Sequence, residues 1–271
     1  MRQWKKEKLS INPVINNLSL SGMPVIVYAI LDSKQVIDAS SHGISSFSSG
    51  SGVELEFVSA STLTAMVSSQ SDNTLSNSRQ EVLAYAGIVD TISKKYSILP
   101  MRYGSVVASY ADVTALLEKN SELFVNALNK VMNKEEYSLR LFFSHQHQDD
   151  FVHEQNVDIT RSPPEILLGN TENKNYLLKK YQQHIAEEKR INYIKTIQLA
   201  VAKYLVNVTE IVDFKKTTTF GCIVDAVLLI DKGRKNELLE LVAAMQSIYP
   251  EHNVILTGPW PPYTFAQIKL E

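Results

Sequence analysis

The 271 residues include one cysteine, Cys222. A lone thiol closes no internal disulfide, so the chain is not a small secreted scaffold held together by bridges. Charge of one sign is also missing: 27 Lys and Arg face 29 Asp and Glu, a formal net charge of -2. Without a broad positive field there is little to neutralise phosphates, so no nucleic-acid partner is expected. Apolar runs are short. None approaches the ~18 residues of a membrane-spanning helix, and the richest late run, Ile223 to Ile230, is interrupted by Asp225. No membrane partner is expected either. The N-terminus lacks the basic, apolar and small-residue progression of a secretory signal, which together with the single thiol points to a reducing cytoplasm.

Catalytic signatures are equally scarce. There is no nucleophile elbow, no HExxH, no dinucleotide fingerprint and no EF-hand loop. Gly50-Ser51-Gly52 lacks the further glycine, the lysine and the following helix of a phosphate cradle. Cys222 follows Gly221 in an apolar stretch without a histidine nearby in sequence, and reads as a buried structural thiol. His145, His147, Asp149, Asp150 and His153 gather imidazoles and carboxylates, but without the i, i+4 spacing of a helical zinc site, and they read as a polar loop. The expectation is no catalytic residue, no cofactor-binding residue, no cofactor and no metal.

What is present is a mixed pattern of periods. Val25 to Leu31 is a continuous apolar run of strand length, and Val53, Leu55 and Phe57 alternate with Glu54 and Glu56 as in a half-solvated strand, with Leu63 to Val67 able to pair beside it. Between them, Ser33 to Gly52 is rich in Ser and Gly and reads as loop. Ser78 and Glu81 form a capping box that opens a helix with Val82, Ala86, Val89, Ile92 and Tyr96 on its face. Ile98 to Val107 reads as one strand bent at Gly104. A helix with Val113, Leu116, Leu117, Phe124, Leu128 and Val131 on its face follows, then a strand at Glu136 to Phe143. After the polar 144–173 stretch comes the longest periodic element, 174–206, whose seam is Leu177, Tyr181, Ile185, Ile194, Ile197, Val201 and Leu205; at that length it is expected to bridge. The end reads strand, strand, helix, strand: Val208 to Phe214, Phe220 to Ile230, about Lys232 to Ile248, and His252 to Thr257. Counted with the Glu136 strand, the order is βαββαβ, the ferredoxin-like unit.

The most distinctive stretch is Gly258-Pro259-Trp260-Pro261-Pro262-Tyr263-Thr264-Phe265. Its three prolines fix φ and favour extended backbone, while Trp260, Tyr263 and Phe265 carry large aromatic surfaces at low conformational-entropy cost. Two readings stand level: a tail stapled to its own domain, or a preformed edge for another chain.

This stretch resembles the closing signature of the gas vesicle protein F/L family, with Thr264 where that family usually has Ser. Ile98-Leu99-Pro100-Met101-Arg102-Tyr103-Gly104-Ser105-Val106 is similar to its central LPxRFGT stretch, Tyr103 and Ser105 being mild departures, and Val27 to Ile30 and Glu136 to Arg140 resemble its opening and mid-chain patterns. The resemblance runs from Met23 to the end and leaves out only Met1 to Gly22. Residues 1–22, which show no sustained period, read from their composition as a flexible extension, with a partner-binding arm as the alternative. For the rest the resemblance implies an α+β protein of two domains: an irregular sheet with two helices at 23–134, and a modified ferredoxin-like sandwich at 135–271 that includes the long helix and the 258–271 tail. It further implies a non-catalytic accessory or minor structural protein of gas vesicles in the cytoplasm, which binds the main shell protein and other accessory proteins, helps nucleate the shell and limits aggregation. The interaction or motif residues it marks are Pro100, Arg102, Tyr103, Gly104, Gly258, Pro259, Trp260, Pro261, Pro262, Tyr263 and Phe265. For two of them a structural role is expected, Arg102 satisfying backbone carbonyls and Gly104 permitting a bend. The alternative is a ferredoxin-like regulatory protein that binds a small ligand or metal through the His145 to His153 region.

Overall fold

The computed structural model describes residues 23–40, 47–48, 53–69, 78–143, 171–209, 211–216 and 221–268. Met1 to Gly22 and the His145 to His153 region lie outside them. The chain divides into two units, one extending to Asn129 and the other from Lys130 to Gln267, so the division falls in the last turn of a helix.

The first unit is an antiparallel sheet with helices. Its strands are β1 (Val25–Asp32), β2 (Phe47–Ser48), β3 (Glu54–Ala60), β4 (Leu63–Ser69), β5 (Leu99–Pro100) and β6 (Val106–Val107). Their order is β2-β3-β4-β1-β5, with β6 also pairing β1. β1 therefore lies inside the sheet, between β4 on one side and β5 and β6 on the other. That position explains its unbroken apolar run: Val25 to Leu31 are all buried, so neither face calls for a polar residue.

Two helices and one strand of this unit depart from the sequence pattern. The Ser-rich stretch after β1 opens with a helix, α1 (Ser33–Ser40), where loop was expected. Two side chains explain it. Asp32 Oδ1 accepts from the Lys34 amide at 2.9 Å, capping the first turn, and the Gln35 amide group exchanges two hydrogen bonds with the Ser97 backbone at 2.8 and 3.0 Å. The helix expected over Val113 to Val131 is two, α3 (Tyr110–Lys119) and α4 (Ser121–Val131), divided at Asn120. The buried Asn120 side chain donates to Leu116 O at 2.9 Å, competing with the backbone ladder for that acceptor. The strand expected across Ile98 to Val107 is β5 and β6 with a turn between, because Gly104 adopts φ +90°.

Helix α2 (Arg79–Lys95) has the expected cap, Ser78 Oγ accepting from the Glu81 amide at 3.2 Å. Its buried face is Tyr85, Ile88, Val89 and Ile92, rotated from the expected one so that Val82 is exposed. Tyr85 causes the rotation. Its hydroxyl lies 3.0 Å from Val27 O, 2.9 Å from Met101 O and 3.1 Å from Arg102 O, and its ring stacks on Tyr28 at 4.9 Å. One phenolic proton thus joins α2, β1 and the turn after β5. Arg102 itself is exposed.

The second unit begins with β7 (Lys134–Phe143) and continues α5 (Thr171–Leu205), β8 (Ile211–Phe214), β9 (Cys222–Asp231), α6 (Lys235–Ile248) and β10 (His252–Trp260). The strand order is β10-β7-β9-β8, antiparallel throughout, which is the ferredoxin-like arrangement of a βαββαβ chain. One face of the sheet carries the core: Tyr137, Leu139, Leu141 and Phe143 of β7 with Val224, Ala226, Leu228 and Ile230 of β9. Against them pack Ile197, Val201 and Leu205 from the end of α5, and Leu238 and Met245 from α6. The seam read along α5 enters this core only in its last turns, and Leu177 near its start is exposed. On the other face Arg140 and Asp225 pair across β7 and β9 at 3.3 Å, which accounts for a carboxylate inside an apolar strand. Cys222 is buried, its thiol donates to Val224 O at 3.1 Å, and burial pushes its pKa up, away from the reactive thiolate.

Tyr85→Phe keeps the ring stack and removes the shared donor, and is expected to cost roughly 1–2 kcal/mol of unfolding free energy. Arg102→Ala is expected to stay within about 0.5 kcal/mol of the parent. Urea unfolding followed by circular dichroism compares the two; an equal loss for both would remove the role assigned to Tyr85.

Candidate functional site

From His252 to Ile268 the chain contains no Asp, Glu, Lys or Arg. This uncharged segment supplies β10, an edge of the second sheet, and the proline-aromatic tail that follows. Along β10 the side chains alternate. Val254 and Leu256 pack on the core, whereas Asn253, Ile255 and Thr257 are exposed on the opposite face.

The regular pairing with β7 breaks between Thr257 and Trp260. Gly258 occupies the break at φ +126° and the Gly258–Pro259 peptide is cis. A Cβ on Gly258 would lie 2.9 Å from Glu136 O and 2.9 Å from Tyr137 Cδ1, so the close approach of two strands requires glycine here as much as the backbone angle does. Beyond the break the tail turns back on the sheet. Pro261 and Pro262 are buried, and the Ala266 amide donates to Pro262 O at 2.9 Å.

The anchor of this turn is Glu136 on β7, only 7% exposed. Its carboxylate accepts from the Thr264 amide at 2.8 Å and from the Thr264 hydroxyl at 2.9 Å. Phe265 is buried beside it at 8% exposure, with the Lys130 ammonium 5.5 Å from the ring centroid. A Ser at 264 would keep both donors, the backbone amide and a hydroxyl. Burial pushes the Glu136 pKa up from the usual carboxylate range, and the hydrogen bonds from Thr264 and Phe265 and the charge of Lys215 offset that only in part.

The marked tail residues thus separate. Pro261, Pro262 and Phe265 are buried, Pro259 and Tyr263 are half-buried, and Gly258 sits at the strand break. Trp260 alone among the tail aromatics is left outside, 51% exposed, its indole N–H 3.4 Å from Thr257 Oγ1. The tail is stapled to its own unit, its end fixed to β7, while Trp260 and Ile255 of β10 are both exposed. Sequence reasoning missed Glu136 as the anchor. The available signal was a glutamate within a strand otherwise rich in apolar residues, but its partner lies 128 positions away.

The other marked set lies in the first unit. Pro100 is buried in β5, whereas Arg102 and Gly104 are exposed at the turn. Tyr103 is half-buried, donates to Glu81 Oε2 at 3.1 Å and meets the Tyr85 ring edge-on at 5.4 Å. A Cβ on Gly104 would meet nothing within 4 Å, so only its positive φ calls for glycine. Among the described residues no group of three or more His, Cys, Asp or Glu is placed to hold a metal ion.

Two consequences follow for stability. Gly258→Ala combines the unfavourable φ with a clash against β7 backbone and is expected to cost at least about 3 kcal/mol, against roughly 1–2 kcal/mol for Gly104→Ala, where only φ is strained. Thermal or urea unfolding ranks the two, and the reverse order would refute the account of Gly258. For Glu136 the folded-state pKa lies above the unfolded one, so its contribution to stability is fully present below the unfolded pKa and is lost as pH rises through the folded pKa. Relative to Glu136→Gln, the parent is therefore expected to lose unfolding free energy as pH rises from the unfolded-state pKa through the raised folded-state one. A constant difference across that range, in urea melts at each pH, would show that burial does not control this group.

Comparison with known proteins places these observations. No curated protein matches the sequence. Among solved structures, the gas vesicle protein GvpF from Anabaena sp. PCC7120 superposes with a TM-score of 0.71 at 15% identity, covering 92% of this chain and 98% of that one. The gas vesicle protein GvpF from Microcystis aeruginosa gives a TM-score of 0.69 at 16% identity, covering 91% and 100%. At such identities the likeness establishes the fold. The family described as gas vesicle synthesis protein GvpL/GvpF matches residues 24–267, from the start of β1 through the stapled tail, and the chain belongs to that family.

Proposed function

We propose that this chain is a non-catalytic accessory or minor structural protein of gas vesicles that binds the main shell protein, assists nucleation and assembly of the shell, and limits its aggregation. The observation that carries the reading is the family match across residues 24–267, because it spans both units and ends on the uncharged tail. The physical features support it. An apolar shell subunit outside its assembly aggregates through exposed strand edges and apolar faces, and a protein that covers them without competing charge delays that step. The exposed Ile255 and Trp260, on a strand free of charge, offer such a surface.

In this reading the protein acts in the cytoplasm and at the gas vesicle, with the main shell protein and other accessory proteins as partners, and without nucleic acid, membrane or cofactor. Among the described residues no helix is long and apolar enough to cross a membrane. Deletion of the gene is expected to abolish buoyant vesicles, and affinity-tagged full-length chain is expected to retain the shell protein in soluble form. Vesicles of normal yield in the deletion strain, together with no retention of shell protein, would sink the reading.

A further inference from the structure

The outer edge of β10 is guarded over one half only. Gln246 of α6 reaches across to it, donating through Nε2 to His252 O at 2.7 Å and accepting through Oε1 from the Val254 amide at 3.1 Å. Both groups therefore face away from β7. The alternation of an antiparallel ladder then turns the Val254 carbonyl and the Leu256 amide and carbonyl outward as well. Among the described residues, no hydrogen bond covers these three groups.

Natural proteins protect open edges with charge, proline or a bulge. Here the stretch from His252 to Thr257 has neither charge nor proline, and the bulge and Pro259 come only at its end. Along β10 the face beside the open groups is uncharged, with Asn253 and Thr257 exposed and two large apolar side chains among them, Ile255 at 45% and Trp260 at 51% exposure. Of the charges on that face, Arg140 opposite Ile255 is paired with Asp225, and Glu136 opposite Trp260 is held by the Thr264 amide and hydroxyl. Nothing there attracts a charged partner, and burying a charge against Ile255 would be costly.

A second copy of the chain fits this edge poorly. Antiparallel self-pairing about Leu256 would bring a Gln246 to each end, confining the contact to Val254 through Gly258, far short of the ~1,200 Å² that a specific stable interface buries. A single extended segment meets only one Gln246 and can continue past Thr257 along Trp260.

We propose that the outer edge of β10 is a strand-addition site for an uncharged, extended segment of a partner protein. The segment pairs antiparallel, like every other strand in the sheet, with one residue exchanging both backbone hydrogen bonds with Leu256. Its two flanking residues then project on the same face as Ile255 and Thr257, and apolar side chains at those positions cover Ile255 and Trp260. The proposal rests on the reading of this chain as a binder of the shell protein and locates where that partner docks.

The test uses the full-length chain co-expressed with the main shell protein. Ile255→Lys combined with Thr257→Lys places charge on the open face without touching the core, and Leu199→Lys, at a site 66% exposed on α5, is the control. The double variant is expected to fold with parent-like circular dichroism and to retain at least about tenfold less shell protein, while the control retains it fully. In the wild-type complex the Leu256 amide is expected to exchange with solvent far more slowly than in the free chain, a readout that does not depend on the variant folding. Parent-like retention by the folded double variant, or an unchanged Leu256 exchange rate in the complex, would overturn the edge proposal while leaving the reading of function in place. If the wild-type chain retains no shell protein, that reading fails and the edge proposal falls with it.

Discussion

The second unit depends on a carboxylate held out of water. Glu136 sits in a sheet between apolar neighbours, where an ionised group without partners would be costly, and it is satisfied by a segment that has no charge of its own. The Thr264 amide and hydroxyl provide the donors. The same contact solves the opposite problem for the tail. Three prolines leave few backbone donors between Gly258 and Thr264, so the segment cannot hold itself in a ladder, and a strong acceptor on β7 fixes its far end. Everything between the strand break and the anchor is then positioned by its two ends, which is why Trp260 stays outside while Phe265 is buried.

The first unit uses the reverse arrangement, one donor for several acceptors. Tyr85 brings a single hydroxyl to three carbonyls that belong to β1 and the turn after β5, and the tyrosine rings of 28 and 103 pack about it. A turn that pairs with a sheet only through two-residue strands has little ladder of its own, so a side chain from a packed helix closes it. The exposure of Arg102 and Gly104 leaves their contribution at the surface of that turn.

Much of the architecture was legible in advance, for a definable reason. Runs of apolar residues with period two or 3.6 report one-sided burial, as in β7, α2 and α6, and continuous apolar runs report burial on both faces, as in β1 and most of β9. Errors arose where a local pattern was overridden by a partner far off in sequence. Helix α1 reads as Ser-rich loop because the contact between Gln35 and Ser97 is not local, and α3 and α4 read as one helix because their apolar face continues through Asn120. The candidate tail was conspicuous by composition, yet its two readings were equally compatible with the residues.

By itself the sequence determined the neutral, thiol-poor character of the chain, the βαββαβ order of its second half and the motifs that mark its family, because each of these is a property of neighbouring residues. The tertiary structure alone decided which aromatic is buried and which is displayed. That outcome follows from Glu136 meeting Thr264 across 128 positions, and the covering of half of the β10 edge by Gln246 is likewise a contact that no local pattern reveals. Hydrogen bonds of this kind are specified by where the backbone brings two residues together, and a linear pattern of polarity carries no record of that meeting.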